Sequence, residues 1–373
     1  MGPRPRHRGV VAVTIAMTDA RELVLVTGGS GYFGSLLVQW LRDRGHPVRI
    51  LDLNRPDHPV AGVELVQGDV RDASVVQRAC EGVGVIHHNV ALVPLARDKQ
   101  GFWSVNEGGT RTLLEGARAA GVRKVVHVSS SAIYGAPDRN PVDESTTPKP
   151  GEEYGRAKLA AEVVCHEFRS RGLDISIVRP RTIMGHGRLG IMQILFEWIR
   201  QGAPVPVLGG GRNQYQFVHA DDLAAACLAA AERPGSADYN IGAAEFGTMA
   251  ETLRGLIQHA DTGSRVVSVP MGPAAAITLA AGRLGLSPLG PYHALMYGRA
   301  MWFNIAKAQD ELGYRPRFSN IEMLRSSYDW YVGHREEILA RRTGSPHSMA
   351  VKQGVLAFAP HLLAWLPEAG GRV

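Results

Sequence analysis

The feature that most constrains this chain is the run "ELVLVTGGSGYFG", residues 22–34. Strand-forming apolar residues pass directly into Gly28, Gly31 and Gly34, and a helix-like stretch, "FGSLLVQWLRDRG", follows at once. Glycine lets the backbone turn sharply and come close to another group. A helix that starts just after such a turn offers free N–H groups and a partial positive charge, a natural seat for phosphate. Three glycines alone say little. Between a strand and a helix they predict a dinucleotide-binding loop, which requires a parallel β-α-β layout.

The rest of the first half obeys that requirement. Strand-like runs "PVRILDL", "VELVQGDV", "VGVIHHNVA", "KVVHVSS" and "DISIVRP" alternate with helical patterns such as "ASVVQRACEG", "TRTLLEGARAAG" and "RAKLAAEVVCHEFRSRG". Near-continuous Val, Ile and Leu in strands predicts a parallel sheet covered on both faces. The expected fold class is therefore α/β, a Rossmann-type doubly wound parallel sheet with a smaller C-terminal substrate-binding cap. The expected division is a disordered extension over 1–20 and a dinucleotide-binding domain over 21–180. A cap over 181–335, partly interleaved with the first domain, and a loose tail over 336–373 complete it. Translation starting at Met17 is an alternative to the disordered extension.

Composition narrows the function classes. The 373 residues are 45% hydrophobic, ample for a large core. The net charge of +6 is concentrated at the ends, at Arg4, Arg6, Arg8, Arg341, Arg342 and Arg372. No body segment interleaves Arg or Lys with aromatics, so no nucleic-acid partner is expected. Basic ends leave room for peripheral contact with a membrane. No stretch has the apolar length of a membrane span. Cys80, Cys165 and Cys227 lie far apart, without a Cys-x-x-Cys pair. Neither a disulfide framework nor a metal site is expected, and a cytoplasmic location is the simpler reading.

The cofactor signal continues past the loop, where Tyr32 and Phe33 open the helix. Asp52 ends the second strand, where a carboxylate can bind a ribose 2′-hydroxyl. It would repel a 2′-phosphate, which favours NAD, although Arg55 nearby keeps NADP open. Asp69, beside Val70 in "QGDVRD", is either an adenine-side contact or an N-cap for the next helix. Asn89 and Ala91 follow the fourth strand. His87 and His88, at the end of that strand, are expected to serve the core.

The chemistry is signalled by "YGRAK". Tyr154 and Lys158 share a helical face. An ammonium beside a phenol favours the phenolate, which predicts a lowered tyrosine pKa. Such a tyrosine can exchange a proton with a carbinol while hydride moves to or from a nicotinamide. A donor for the substrate oxygen is offered by Ser129, Ser130 or Ser131, at the end of a predicted strand.

Taken in order, "TGGSGYFG", "LD", "GDV", "VNEGGT", "VSSSAIYG", "YGRAK", "VRP", "FVHADD" and "KAQDELGYRP" resemble the extended short-chain dehydrogenase/reductases. The resemblance is to the NAD-dependent epimerase/dehydratase and 3β-hydroxysteroid dehydrogenase group, over residues 23 to 331. It implies Tyr154 as general acid/base, Lys158 as the holder of the ribose hydroxyls, and Ser130 rather than Ser131 as the catalytic serine. It implies that Asn106 orders the centre, with a plain helix cap as the alternative. It implies cofactor contacts at Gly28, Gly31, Tyr32, Phe33, Gly34, Asp52, Asp69, Val70, Asn89, Ala91, Asn106, Lys158 and Pro180. A homodimer is common in the group.

Departures from the group bear on the reaction. The Asp-Glu pair of sugar-nucleotide 4,6-dehydratases is replaced by Ser131 and Ala132, which argues against dehydration. Thr182 stands where many sugar-nucleotide epimerases have asparagine. Tyr215 and Gln216 stand where those epimerases carry a diphosphate-clamping arginine, and Arg212 is the possible substitute. A buried diphosphate without its cation loses charge-assisted hydrogen bonds. The apolar helix "IMQILFEWI" suits an apolar ligand, or else packs in the core. The expected function is oxidation of a secondary ring alcohol to a ketone, 3β-hydroxysteroid dehydrogenase-like. A decarboxylating sterol-4-carboxylate 3-dehydrogenase is one form of it. The alternative is a nucleotide-sugar epimerase with tightly bound NAD. A non-catalytic dinucleotide sensor is a third class, against which the Ser-Tyr-Lys set speaks.

Overall fold

A computed structural model describes residues 22–93, 99–188, 190–274, 296–340, 356 and 359–369, together with 276, 280 and 284. The expected extension over 1–20 lies outside the described residues. The first half builds β1 (Leu23–Thr27), α1 (Tyr32–Asp43), β2 (Val48–Asp52), β3 (Val63–Gln67), α2 (Ala73–Cys80) and β4 (Val83–His88). A π-helical stretch, Phe102–Gly109, then runs into α3 (Thr110–Ala119). β5 (Lys124–Val128), a 3₁₀ turn (Ser131–Tyr134), α4 (Glu153–Ser170) and β6 (Ile175–Pro180) complete it.

These strands form a parallel sheet, joined by β11 (Ala237–Ile241) in the order β3-β2-β1-β4-β5-β6-β11. The direction of winding reverses between β1 and β4, and ligands of such sheets bind outside the carboxyl ends at that point. Strands β1 and β5 are buried on both faces, as their unbroken apolar runs predict. One face is covered by α1 and by α6 (Ala220–Glu232), through Leu37, Leu41, Leu223 and Cys227. The other is covered by α2, α3 and α4, through Val76, Leu113 and Phe168.

The second half is interleaved in space: α6 and β11 belong to the main sheet although they lie within residues 181–335. The rest forms a second core. It contains α5 (Met192–Arg200), β8 (Val205–Leu208), α7 (Met249–Ala260), β13 (Val266–Val269) and α9 (Asn320–Gly333); α8 (Ala306–Leu312) instead packs on β11 and α6. Short pairings link β7 (Thr182–Met184) to β10 (Phe217–His219), and β9 (Gln214–Tyr215) to β12 (Gly247–Thr248). In α5, Ile194, Phe196, Trp198 and Ile199 are buried in this core. Its apolar sequence is therefore explained by packing and is no sign of an apolar ligand.

The described parts of the expected loose tail are docked. Ala369 N–H donates to Val266 O at 2.8 Å. Arg265 donates to Leu366 O at 2.7 Å and to Ala364 O at 2.6 Å. These bonds tie the tail's carbonyls to a cationic side chain on the cap.

Candidate active site

Two loops meet at the switch point, one after β1 and one after β4. Gly28 has a φ of +70°, and a Cβ there would lie 3.1 Å from Val90 N. A Cβ on Gly34 would lie 2.0 Å from Gly28 O. Neither position can carry a side chain without moving backbone. Gly31 precedes α1 and makes no side-chain cap bond, so the first-turn N–H groups have no capping side chain. Tyr32 reaches over the loop toward Gly185, and Arg188 lies over its ring at 5.4 Å. Phe33 puts its side chain into the core instead, so only its backbone is left to a ligand.

The Asp52 carboxylate, at the end of β2, accepts Ser30 N–H at 3.0 Å and Asn54 N–H at 2.9 Å. Each oxygen keeps a lone pair for a ribose hydroxyl. Asp69 is held by Arg71, whose hydrogen bonds keep its carboxyl below the usual range. The N-cap of α2 is Asp72, which accepts from Ser74 N at 2.8 Å; Asp69 is not the cap. Val70 is buried against Gly109.

Asn89 donates its backbone N–H to Thr27 at 3.2 Å, and its buried Oδ1 has no partner among the described residues. Ala91 is half-buried beside Leu92, which is clamped on both sides by Asn106. Leu92 N–H donates to Asn106 Oδ1 at 2.8 Å, and Asn106 Nδ2 donates to Leu92 O at 3.2 Å. Asn106 lies inside the π-helical stretch, so it is a loop clamp rather than a helix cap. His88 bridges Thr27 and Thr110 at 2.7 and 2.9 Å. Burial pulls His87 and His88 down to about 3, so both rings are neutral parts of the core. Pro180 closes β6 against Ile241.

The residues expected to carry the chemistry converge on the same edge. Glu152 caps α4, accepting Tyr154 N–H at 2.8 Å and Gly155 N–H at 2.7 Å. Gly155 is needed because a Cβ there would lie 2.6 Å from Ala132 O, in the turn that follows Ser130. The helix thus lies directly on the turn, and the Ser130 hydroxyl is close enough to the Tyr154 phenol to draw its pKa down. Ser130 Oγ also accepts Ala132 N–H at 3.1 Å. Ser131 points elsewhere and accepts from Arg181 at 2.9 Å. Within the triple serine, Ser130 thus lies toward the phenol and Ser131 toward Arg181.

Lys158 is buried, and its Nζ donates to Val128 O at 2.8 Å. An ammonium has three donors, so two remain for ribose hydroxyls. Burial lowers its pKa to about 8, with Glu162 acting in the opposite sense. Tyr154 departs from expectation: burial pushes its phenol up to about 12, against the downward pull of Ser130. With protein groups alone around it, desolvation outweighs the neighbouring charges. Lys158 shares the helical face, but its ammonium is anchored on the Val128 carbonyl. The glycine cradle, the orphan Asn89 Oδ1, Asp52 and the spare Lys158 donors together fit a dinucleotide. Two contributors had no local signal in the sequence. Glu152 acts through the helix start, and Arg188 brings a guanidinium to the phenol side of the site.

Comparison with known proteins agrees with this geometry. Residues 24–242 match the model of the NAD dependent epimerase/dehydratase family. The chain belongs to this family. It is an NAD-dependent enzyme of the extended short-chain dehydrogenase/reductase type, and NAD is its cofactor. It is 52% identical to the uncharacterized protein y4nG of Sinorhizobium fredii, over 98% of this chain and 92% of that one. It is 33% identical to a 3 beta-hydroxysteroid dehydrogenase/Delta 5-->4-isomerase of Mycobacterium tuberculosis, over 87% of this chain and 94% of that one. Among solved structures, MoeE5 in complex with UDP-glucuronic acid and NAD is 27% identical, with a TM-score of 0.68. That match covers 83% of this chain and 99% of MoeE5. No helix among the described residues is long and apolar enough to cross a membrane.

Proposed function

We propose that the enzyme is a dehydrogenase that oxidises a secondary ring alcohol to a ketone, in the manner of a 3β-hydroxysteroid dehydrogenase. The observation that carries the reading is the convergence of Ser130, Tyr154 and Lys158 at the carboxyl edge of the sheet, with the serine turn packed on the start of the tyrosine helix. Bound NAD supplies the hydride acceptor. Ser130 holds the carbinol oxygen, and Tyr154 takes its proton as the C–H bond breaks, acting as the phenolate that the positive charge of an oxidised nicotinamide ring beside it would favour against burial. The protein's part is to place and dry these groups and to hold the cofactor ribose with Lys158.

What separates a ring alcohol from a nucleotide sugar is the wall of the cap. Gln216 is fully buried and spent on Ala243 O at 2.7 Å and Phe303 N–H at 2.8 Å. Arg212 is exposed in a glycine turn. Gln216 is committed to the backbone and Arg212 lies at the surface, which speaks against a buried diphosphate clamp at these positions. The 3β-hydroxysteroid relative supports the same direction. Where the substrate carries a carboxylate on the next carbon, the ketone makes it a β-keto acid. The bond to the carboxylate then breaks, carbon dioxide leaves, and the electron pair passes to an enolate held by Ser130. The enolate carbon is protonated to give the product ketone.

A nucleotide-sugar epimerase is the second reading, favoured by the similarity to MoeE5 with its UDP-glucuronic acid. Incubation with NAD and separate panels of steroids and of UDP- and dTDP-sugars decides, with NADH absorbance as readout. Stoichiometric NADH with a steroid alcohol supports the dehydrogenase. Sugar interconversion without net NADH overturns it.

A further inference from the structure

We propose that Arg181, with Ser131, forms a subsite for a substrate carboxylate adjoining the alcohol that Tyr154 deprotonates. This deepens the dehydrogenase reading and rests on it for the position of the alcohol.

Two arginines sit at the carboxyl end of β6, and their surroundings differ sharply. Arg179 is buried but fully compensated. Its Nε donates to Glu162 at 3.0 Å, its Nη2 to Glu162 and Asp238 at 2.8 Å each, and its Nη1 to the Tyr134 hydroxyl at 3.0 Å. Arg181 is 1% exposed and has no carboxylate within 4.0 Å among the described residues. Its Nη1 donates to Ser131 Oγ at 2.9 Å and lies 3.3 Å from Met301 Sδ. Its guanidinium stacks 4.8 Å from the Tyr215 ring and 5.7 Å from the Phe303 ring. Its Nε and Nη2 have no partner among the described residues.

Those two nitrogens form one edge of the guanidinium, the fork that takes a carboxylate through two parallel hydrogen bonds. Arginine cannot shed its charge when buried. An unpaired buried cation is costly, and ring contacts recover only part of the cost. The fold tolerates the charge without supplying an anion, so the anion comes from a ligand. Its place follows from Ser131, which holds Arg181 and opens the turn capped by Ser130, the serine nearest the phenol. A single guanidinium also matches a monoanion better than a phosphate dianion, which would need a second cation beside it.

The test uses the NAD-loaded full chain and its Arg181→Met variant. Thermal shifts are measured with cyclohexanecarboxylate, cyclohexylmethanol and inorganic phosphate. Selective stabilisation by the carboxylate, weakened about tenfold or more in affinity by R181M, supports the subsite. Equal shifts with the alcohol, a response to phosphate alone, or a carboxylate response unchanged in R181M overturn it. The variant itself is expected to melt at or above the wild-type temperature, since an uncompensated charge gives way to an apolar chain of similar reach. Loss of several degrees marks Arg181 as structural and overturns the proposal. A second arm compares a 3β-hydroxysteroid-4-carboxylate with its 4-methyl counterpart. Wild type is expected to prefer the acid at least tenfold in kcat/KM, chiefly through KM, and R181M to bring the ratio near one. Oxidation of both without preference overturns the subsite and leaves the dehydrogenase reading intact. If neither steroid is oxidised, that reading falls, and the carboxylate-binding arm alone decides the subsite.

Discussion

Replacing Gly155 by alanine isolates the geometry of the reactive pair from its chemistry. Two effects oppose each other. Alanine within a helix gains about 1 kcal/mol over glycine. The new Cβ, however, lies 2.6 Å from Ala132 O, with Glu152 Oε1 at 3.0 Å and Pro150 Cβ at 3.1 Å. Ordinary contact begins near 3.4 Å, so the carbonyl must retreat by the difference, 3.4 − 2.6 = 0.8 Å. That carbonyl belongs to the turn that Ser130 caps. Overpacking of this kind costs about 1–3 kcal/mol. Net destabilisation is then roughly 0–2 kcal/mol, too little to unfold the chain. The same displacement parts Ser130 from Tyr154, and a misplacement of about 1 Å can cost about a hundredfold in rate. The expected result is a fall of about 10- to 100-fold in turnover, with NAD affinity within about threefold of wild type, because the glycine loop and Lys158 are untouched. The assay pairs NADH formation with cofactor titration by protein fluorescence and with urea unfolding. Turnover within twofold of wild type refutes the claim that helix and turn must touch to set the serine–tyrosine geometry.

Two further perturbations probe the cofactor side. Asn106→Ala strands the Leu92 N–H and C=O in a half-buried loop, which is expected to cost about 1–3 kcal/mol of stability and to weaken NAD binding measurably. Unchanged affinity and stability contradict the clamp. Lys158 titrates near 8 in the folded chain, below its ordinary 10.5. The unfolded chain holds the extra proton between those values, so stability rises from pH 8 upward and is lost again as pH falls through 8. Tyr154, shifted upward, acts in the opposite sense only above about 10. Wild type is therefore expected to gain stability relative to Lys158→Met from pH 8 to pH 10, measured by chemical denaturation. A difference that does not change with pH refutes a buried, strained ammonium.

Much of the scaffold could be read in advance because parallel strands buried on both faces leave unbroken apolar runs, and because Gly28 and Gly34 stand where only backbone fits. The placement of Asp52 against the loop was legible from its distance past the glycines. The order of Ser129, Ser130 and Ser131 was not, since successive residues alternate in direction and their neighbours, the Tyr154 helix and Arg181, come from elsewhere in the chain. Helix α5 shows the limit of apolar pattern, which cannot tell a face lining a ligand from one packed on Leu253 and Leu324. The phenol shows a second limit. Spacing places Lys158 on the right face, but neither the anchoring of its ammonium on Val128 O nor the burial of Tyr154 is a local property of "YGRAK". Arg181 was silent for the same reason: the lack of a counter-ion depends on strands far away in sequence, and only its neighbour Arg179 shows what compensation would look like.

Tyr154→Phe bears most directly on the account, because it deletes one oxygen and leaves the ring against Phe102. Proton transfer by a positioned side chain contributes about 10²–10⁴ to rate. NAD affinity is expected to stay within about threefold of wild type, while turnover of the oxidised alcohol falls by at least about a hundredfold. Turnover retained within about fivefold, with the cofactor bound as before, contradicts the assignment of proton transfer to this phenol.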